Sequence, residues 1–251
     1  MAGYLHSTKS GCISPCRPLH RPLFLVRSSM RIFHLLSAQH ALDNIAKSRL
    51  KISRLDELND PFELCAAELS NPKHRLAFRQ FKETMAKRYG LLCFSKSWMS
   101  PLLWSHYGDR HRGVALELEV ADDLVTEVSY QPTRIDLDIK RKLSTGGLRE
   151  ADVNSILRTK FNHWEYEQEV RVFLRLDDPP DANGLHFYNL GSEINLKGII
   201  LGPLCKISVA NIERVLPKGQ SLQLRKARLA FNTFSVVGNR AFKKRPVNGT
   251  A

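Results

Sequence analysis

No apolar run in this chain approaches the roughly 18 to 20 residues that carry a helix across a bilayer. The longest stretches, such as Gly198-Ile199-Ile200-Leu201, are strand-sized, which excludes a membrane-spanning helix. An internal repeat is missing too, and so is a glycine-rich phosphate loop. Cysteine is sparse: the five residues Cys12, Cys16, Cys65, Cys93 and Cys205 are odd in number and mostly isolated, which fits a reducing compartment better than a disulfide framework. Cys12 and Cys16 lack the second close pair that a zinc site needs. Acids are absent from both ends. Residues 1–29 carry Lys9, Arg17, Arg21 and Arg27, and residues 240–251 carry Arg240, Lys243, Lys244 and Arg245, so each end supplies +4 of the formal +13 and +5 remains between them. That distribution favours a solvated surface with basic ends over a duplex-binding face, and it is compatible with an anionic small-molecule ligand.

What is present is enough for one core. The 251 residues are 43% hydrophobic and 25% charged, within the globular range for a single domain. Residues 1–29 are rich in Ser, Pro and basic side chains, and their apolar patch, Leu23 to Val26, is shorter than a signal-peptide core of about 7 to 15 residues. They read as a disordered basic extension. Their composition also suits an organelle transit peptide, but Met30 opens the first patterned segment, so an over-extended start is the simpler account. The folding unit is then residues 30–239, followed by a basic disordered tail over 240–251.

Within that unit, Arg31 to Leu36 reads as a strand. Ser37 caps a helix to about Lys47, with Ala41, Leu42, Ile45 and Ala46 on its apolar side. Leu50 to Ser53 resumes as a strand, and Asn59-Asp60-Pro61 makes a turn. Asn71-Pro72 opens a helix in which Ala77, Phe81, Met85 and Tyr89 recur every fourth residue up to Gly90. Leu91 to Ser95 is a strand, Ser100-Pro101 starts a short helix through Tyr107, and Gly113 to Val120 alternates as a strand. Pro132 to Glu150 is charged and loop-like. A helix near Asp152 to Phe161 leads into a strand bearing Val170, Val172 and Leu174. The turn cluster Asp178 to Gly184 predicts that its flanking strands are antiparallel neighbours. A strand over Leu196 to Leu201, a helix after Ser208, and closing strands Leu222 to Leu229 and Phe234 to Val237 complete the domain. Many short strands with irregularly inserted helices predict an α+β domain with a mixed, mostly antiparallel sheet, whole or split.

The polar residues gather in a few segments. Glu165, Glu167 and Glu169 alternate, so an extended chain projects all three to one side, where like charges need a compensating partner. Arg171 continues that face. The pattern is either a structural Glu-Arg ladder or a carboxylate held to orient a substrate hydroxyl, and Glu169 is the leading catalytic candidate because it opens the regular strand. Trp104 is expected in the core, whereas Tyr107 and His106 can each stack on a planar ligand and donate a hydrogen bond. His106 has no neighbouring Cys or spaced His to build a metal site. Asp60 is expected to bond nearby backbone amides in a turn, with the pairing of Glu63 to an arginine in the site as the alternative role for this loop, and a lone strand histidine such as His34 is expected to be a satisfied core residue.

The segments Leu55-Asp56-Glu57-Leu58-Asn59-Asp60-Pro61-Phe62-Glu63, Cys93-Phe94-Ser95 with Leu103-Trp104-Ser105-His106-Tyr107 and Arg112-Gly113, and Trp164-Glu165-Tyr166-Glu167-Gln168-Glu169-Val170-Arg171 resemble the bacterial domain-of-unknown-function family 2971 over nearly all of residues 30–239. That resemblance implies a bacterial cytoplasmic protein. More distantly, Ile32-Phe33-His34-Leu35-Leu36-Ser37 followed by a helix and Leu50-Lys51-Ile52-Ser53 is similar in order to ADP-ribosyltransferases of the DNA-modifying toxin type, with Leu35-Leu36 where those enzymes carry a small Gly-Thr. This likeness implies NAD as substrate and no permanently bound cofactor. It places His34 on a ribose, Tyr107 on the nicotinamide and Glu169 on the ribose 2′-hydroxyl. His106, Glu167, Arg171, Glu63 and Ser95 are further candidate substrate-binding residues, and the acceptor is a nucleic acid or a protein. Such an enzyme would act in phage defence or as a toxin; the competing expectation is a non-enzymatic binding or regulatory module built on a structural ion network.

Overall fold

The structure is a computed structural model that describes residues 28–63, 65–67, 69–135 and 148–249. The expectations for residues 1–27, for Cys12 and Cys16, and for most of the charged middle lie outside the described residues. In chain order the elements are β1 (Ser29–Leu36), α1 (Ala38–Ala46), β2 (Arg49–Arg54), α2 (Pro72–Ala86), β3 (Tyr89–Ser95), α3 (Pro101–His106), β4 (Val114–Ala121), β5 (Thr126–Glu127) and β6 (Ser129–Gln131). They continue with α4 (Glu150–Arg158), β7 (Thr159–Phe161), a 3₁₀ turn (Asn162–Glu167), β8 (Glu169–Arg175), β9 (His186–Asn189), β10 (Ile194–Leu201), α5 (Val209–Val215), β11 (Ser221–Leu229), β12 (Val236–Gly238) and β13 (Arg245–Asn248). Among the described residues no helix is long and apolar enough to cross a membrane.

Helix starts follow the capping residues. Ser37 Oγ accepts the His40 N–H at 3.3 Å, and Asn71 Oδ1 accepts the Lys73 N–H at 2.9 Å, with Pro72 placed where no amide is needed. Strand alternation then sorts side chains between two faces. Ile32 and Leu36 of β1 pack with Leu116 and Leu118 of β4 beneath α1 and α5, through Ala41, Ile45 and Ile212. Phe33, Leu35 and Ala115 face the other way and meet Leu103 and Trp104 of α3. A third cluster seats Phe78 of α2 and Ile156 and Leu157 of α4 against Leu91.

Eleven of the described strands form one sheet in the order β12-β11-β10-β4-β1-β3-β2-β9, with β13, β5 and β8 attached off that path, and β6 and β7 form a separate two-stranded sheet. β10 and β11 run parallel, and the other pairings in the larger sheet are antiparallel, so the fold is α+β with a mixed sheet, as its sequence pattern predicts. β4 is buried along nearly its whole length because β1 and β10 flank it and both of its faces are covered.

One irregularity positions the site. β8 pairs with one edge of β3 over the full run Tyr89–Ser95. The other edge of β3 is shared: β1 reaches it only at Phe33 opposite Ser95, and β2 only at Ser53 and Arg54 opposite Leu91 and Gly90. Between those contacts β1 and β2 part, and the sheet splits over Leu92, Cys93 and Phe94.

Several sequence expectations need correction. The helix expected to reach Gly90 stops at Ala86, because Tyr89 and Gly90 are drawn into the ladder with β8. The helix near Asp152 to Phe161 ends at Arg158, and Thr159–Phe161 pairs in parallel with β6. The strands flanking Asp178 to Gly184 are not neighbours: β8 is occupied by β3 and β5, so β9 crosses to pair with β2. The segment 240–251, expected to be disordered, contains β13, which hydrogen-bonds to Ser221–Leu224 and buries Val247 completely. Val247 is the one large apolar side chain within β13, and burying it is worth about 1.5 to 3 kcal/mol.

Candidate functional site

A cleft of about 260 Å³ opens where β1 and β2 part. Phe33, His34 and Leu35 line it from β1, Lys51 and Ser53 from β2, and Leu92 to Ser95 from β3. Glu57, Leu58, Asn59 and Glu63 come from the loop after β2, Leu103 and Tyr107 from the end of α3, and Lys160, Glu167 and Glu169 from the chain leading into β8.

The split explains the state of His34. Cys93 O has no strand partner on that edge, and the His34 imidazole takes the vacant position with Nδ1 3.0 Å away. A carbonyl only accepts, so Nδ1 carries the proton and Nε2 is left as an acceptor. Burial lowers the His34 pKa, with the Cys93 carbonyl opposing, and the ring is neutral near pH 7. It stands edge-on to Phe94 at 5.7 Å. The neighbouring Cys93 thiol is pushed up by burial and by the Glu169 charge, which makes it a poor nucleophile.

The acidic wall is built by an interrupted strand. Glu165, Glu167 and Glu169 do not alternate on one extended face. Asn162–Glu167 is a 3₁₀ turn, and Gln168 enters the left-handed region at φ 44°, so Glu165 is exposed while Glu167 and Glu169 turn inward. Ser95 fixes this corner: its Oγ lies 2.6 Å from both Ser97 O and Glu167 O and accepts the Ser97 N–H, and the Lys96 N–H donates to Gln168 O. The Glu169 N–H donates to the Tyr130 hydroxyl at 2.7 Å.

Behind the wall lies a network of charged groups, each no more than 6% exposed. Arg171 donates Nε to Glu169 Oε1 at 2.8 Å, Nη2 to both Glu63 oxygens at 2.9 Å, and Nη1 to Leu157 O at 2.9 Å. Lys160 Nζ contacts Glu167 Oε2 at 2.6 Å, Glu169 Oε2 at 2.8 Å and Glu63 Oε1 at 3.0 Å. The Tyr107 hydroxyl donates to Glu167 Oε1 at 2.6 Å and accepts from Asn59 Nδ2 at 3.1 Å. Three carboxylates therefore meet two cations, leaving one negative charge in excess inside a buried cluster.

The excess does not fall evenly. Burial alone would raise Glu169, but Arg171 and then Lys160 override it and hold the carboxyl at about 2. For Glu167 burial prevails over Lys160 and Tyr107, and its pKa is raised. Burial and the Glu167 charge together push the Tyr107 hydroxyl up, so it stays a donor.

His34, Tyr107 and Glu169, the three sequence-derived catalytic candidates, thus line one cleft, together with Glu167, Glu63 and Ser95. His106 and Arg171 are outside the lining. His106 is exposed and stacks against Tyr166, with Trp164 6.0 Å away, and Arg171 is fully buried behind Glu169. Trp104 is fully buried, donating Nε1–H to Trp98 O, and Asp60 accepts the Phe62 N–H in its turn, both as the sequence predicts. Glu63 meets the expected arginine, which is Arg171. Lys160 escaped sequence reasoning. Three alternating acids signalled the need for a cation, but nothing local distinguishes Lys160 from other lysines. Among the described residues no group of His, Cys, Asp and Glu is arranged to hold a metal ion. No family model, curated protein or solved structure matches the chain.

Proposed function

We propose that this chain is an ADP-ribosyltransferase-like enzyme that cleaves the nicotinamide–ribose bond of NAD. The observation that carries the reading is the convergence on a single cleft of His34, Tyr107 and three carboxylates, Glu63, Glu167 and Glu169, which outnumber their two cations by one. As the C1′–N bond breaks, its electron pair leaves on the nicotinamide nitrogen and positive charge develops on the ribose as an oxocarbenium ion. A fixed carboxylate in a site of low dielectric stabilises that charge without reorganising. Glu167 takes this role because one cation, Lys160, faces it, whereas Glu169 is engaged by both Arg171 and Lys160. Tyr107 holds Glu167 Oε1 through its hydroxyl and offers its ring to the nicotinamide. His34 Nε2 accepts a ribose hydroxyl. A nucleophilic acceptor then closes on C1′ and loses its proton to solvent.

The test is nicotinamide release from NAD by the full chain. Glu167→Gln is expected to slow it by about 10²- to 10³-fold, the usual loss when one transition-state electrostatic contact is removed, with the fold retained. Wild-type protein that neither binds nor cleaves NAD overturns the proposal. The saturation of Arg171 by internal partners supports a second reading, a non-enzymatic module in which the ion network only holds the fold. Under it NAD leaves the melting temperature unchanged, and substitutions in the network alter stability alone.

A further inference from the structure

The positive charge of the protein is not spread over the fold. Residues 30–213 contain 25 basic and 25 acidic residues and are neutral, whereas no acid follows Glu213 and nine Lys and Arg do. The topology brings that acid-free segment to one margin of the sheet. β12 and β13 both hydrogen-bond to the outer edge of β11, β12 along Ala227–Leu229 and β13 along Ser221–Leu224. Arg240, Lys243, Lys244 and Arg245 are exposed there.

The β11–β12 hairpin is closed by the Ala230 N–H on Ser235 O, and its tip presents Phe231 and Phe234 at 92% and 102% exposure. Neither ring contributes burial to the fold. The Arg228 guanidinium lies over the Phe231 face, 4.2 Å from its centroid. Two solvent-exposed aromatic rings on the same margin as the exposed cations Arg240, Lys243, Lys244 and Arg245 match what a single-stranded nucleic acid requires: rings on which bases stack, and charges that follow its phosphates. A duplex keeps its bases stacked on one another and gives the rings nothing. A lipid surface fits less well, since Asn232 and Thr233 separate the two rings and Arg228 keeps Phe231 in charged surroundings.

We infer that the β11–β12–β13 margin, with Phe231 and Phe234 at its tip, is a binding surface for single-stranded nucleic acid lying outside the cleft. The inference does not depend on the NAD reading.

Fluorescence anisotropy of the full chain with labelled oligothymidine, oligouridine and a duplex of equal length tests it, beside co-sedimentation with phosphatidylserine vesicles. One or both single strands are expected to bind more tightly than the duplex. Phe231→Ala and Phe234→Ala should each weaken single-strand binding roughly tenfold without changing the melting temperature, since both rings are already in solvent. Replacing Lys243 and Lys244 together with Ala should flatten the log–log salt dependence by about 1.4. Failure to bind either single strand overturns the inference. So does single-strand binding that both Phe variants leave intact, duplex binding as tight as single-strand binding, or binding to vesicles without binding to oligonucleotides.

Discussion

Glu167 and Glu169 stand two residues apart, are both buried and share Lys160, yet their acidities move in opposite directions. The difference is one arginine. Arg171 lies two residues along β8 from Glu169 and donates to both of its oxygens, but the left-handed Gln168 carries Glu167 beyond its reach and leaves it with Lys160 and the Tyr107 hydroxyl. Burial strips hydration from both carboxylates. Only one is fully repaid by its neighbours, so one is a structural member of the ion lattice and the other retains a charge that a ligand can use.

This comparison breaks most severely at Arg171. Arg171→Met removes a cation that binds two carboxylates, and leaving Glu63 and Glu169 buried with Lys160 alone should cost about 3 to 5 kcal/mol in urea unfolding. A loss under about 1 kcal/mol would show that the lattice does not hold the fold. Next in size is Glu169. Its folded pKa of about 2 lies below the ordinary 4.5, so its stabilisation is fully present above pH 4.5 and is lost as the pH falls from 4.5 towards 2. Glu169→Gln should therefore cost roughly 3 kcal/mol at neutral pH and much less near pH 2, measured by unfolding at a series of pH values. Parallel curves for variant and wild type would count against the assignment. The smallest effect is expected at Glu167. Its raised pKa means that folding already disfavours its charge, and Glu167→Gln leaves two carboxylates facing two cations, so unfolding should shift by less than about 1 kcal/mol. A loss as large as that of Glu169→Gln would erase the distinction between the two acids.

Much of the local structure was legible because it is encoded locally. Ser37 and Asn71 mark helix starts by capping free amides, and Asp60 marks its turn by bonding Phe62 N–H. The boundaries that depart from the sequence pattern are those where strand pairing overrides it. Tyr89 continues the helical period of Phe81 and Met85, but β8 offers it a ladder, and Arg245 to Asn248 has little strand character until β11 supplies an edge. Of the candidate site, the acids and Arg171 announced themselves by crowding of like charge, and Tyr107 and His34 by residue type. The αL corner at Gln168 had no glycine or asparagine to signal it, and Lys160 approaches from a separate strand.

The sequence by itself determined the α+β class, the main helices and strands, the burial of Trp104 and the presence of acids in need of a cation, because capping, alternation and charge crowding act between residues close along the chain. Only the tertiary structure decided where the sheet splits, which carboxylate Arg171 neutralises and which one Lys160 and Tyr107 leave in excess at the cleft. Those outcomes turn on distances of about 3 Å between residues as far apart as Glu63 and Arg171, and electrostatic interactions at that range are set by packing rather than by spacing along the chain.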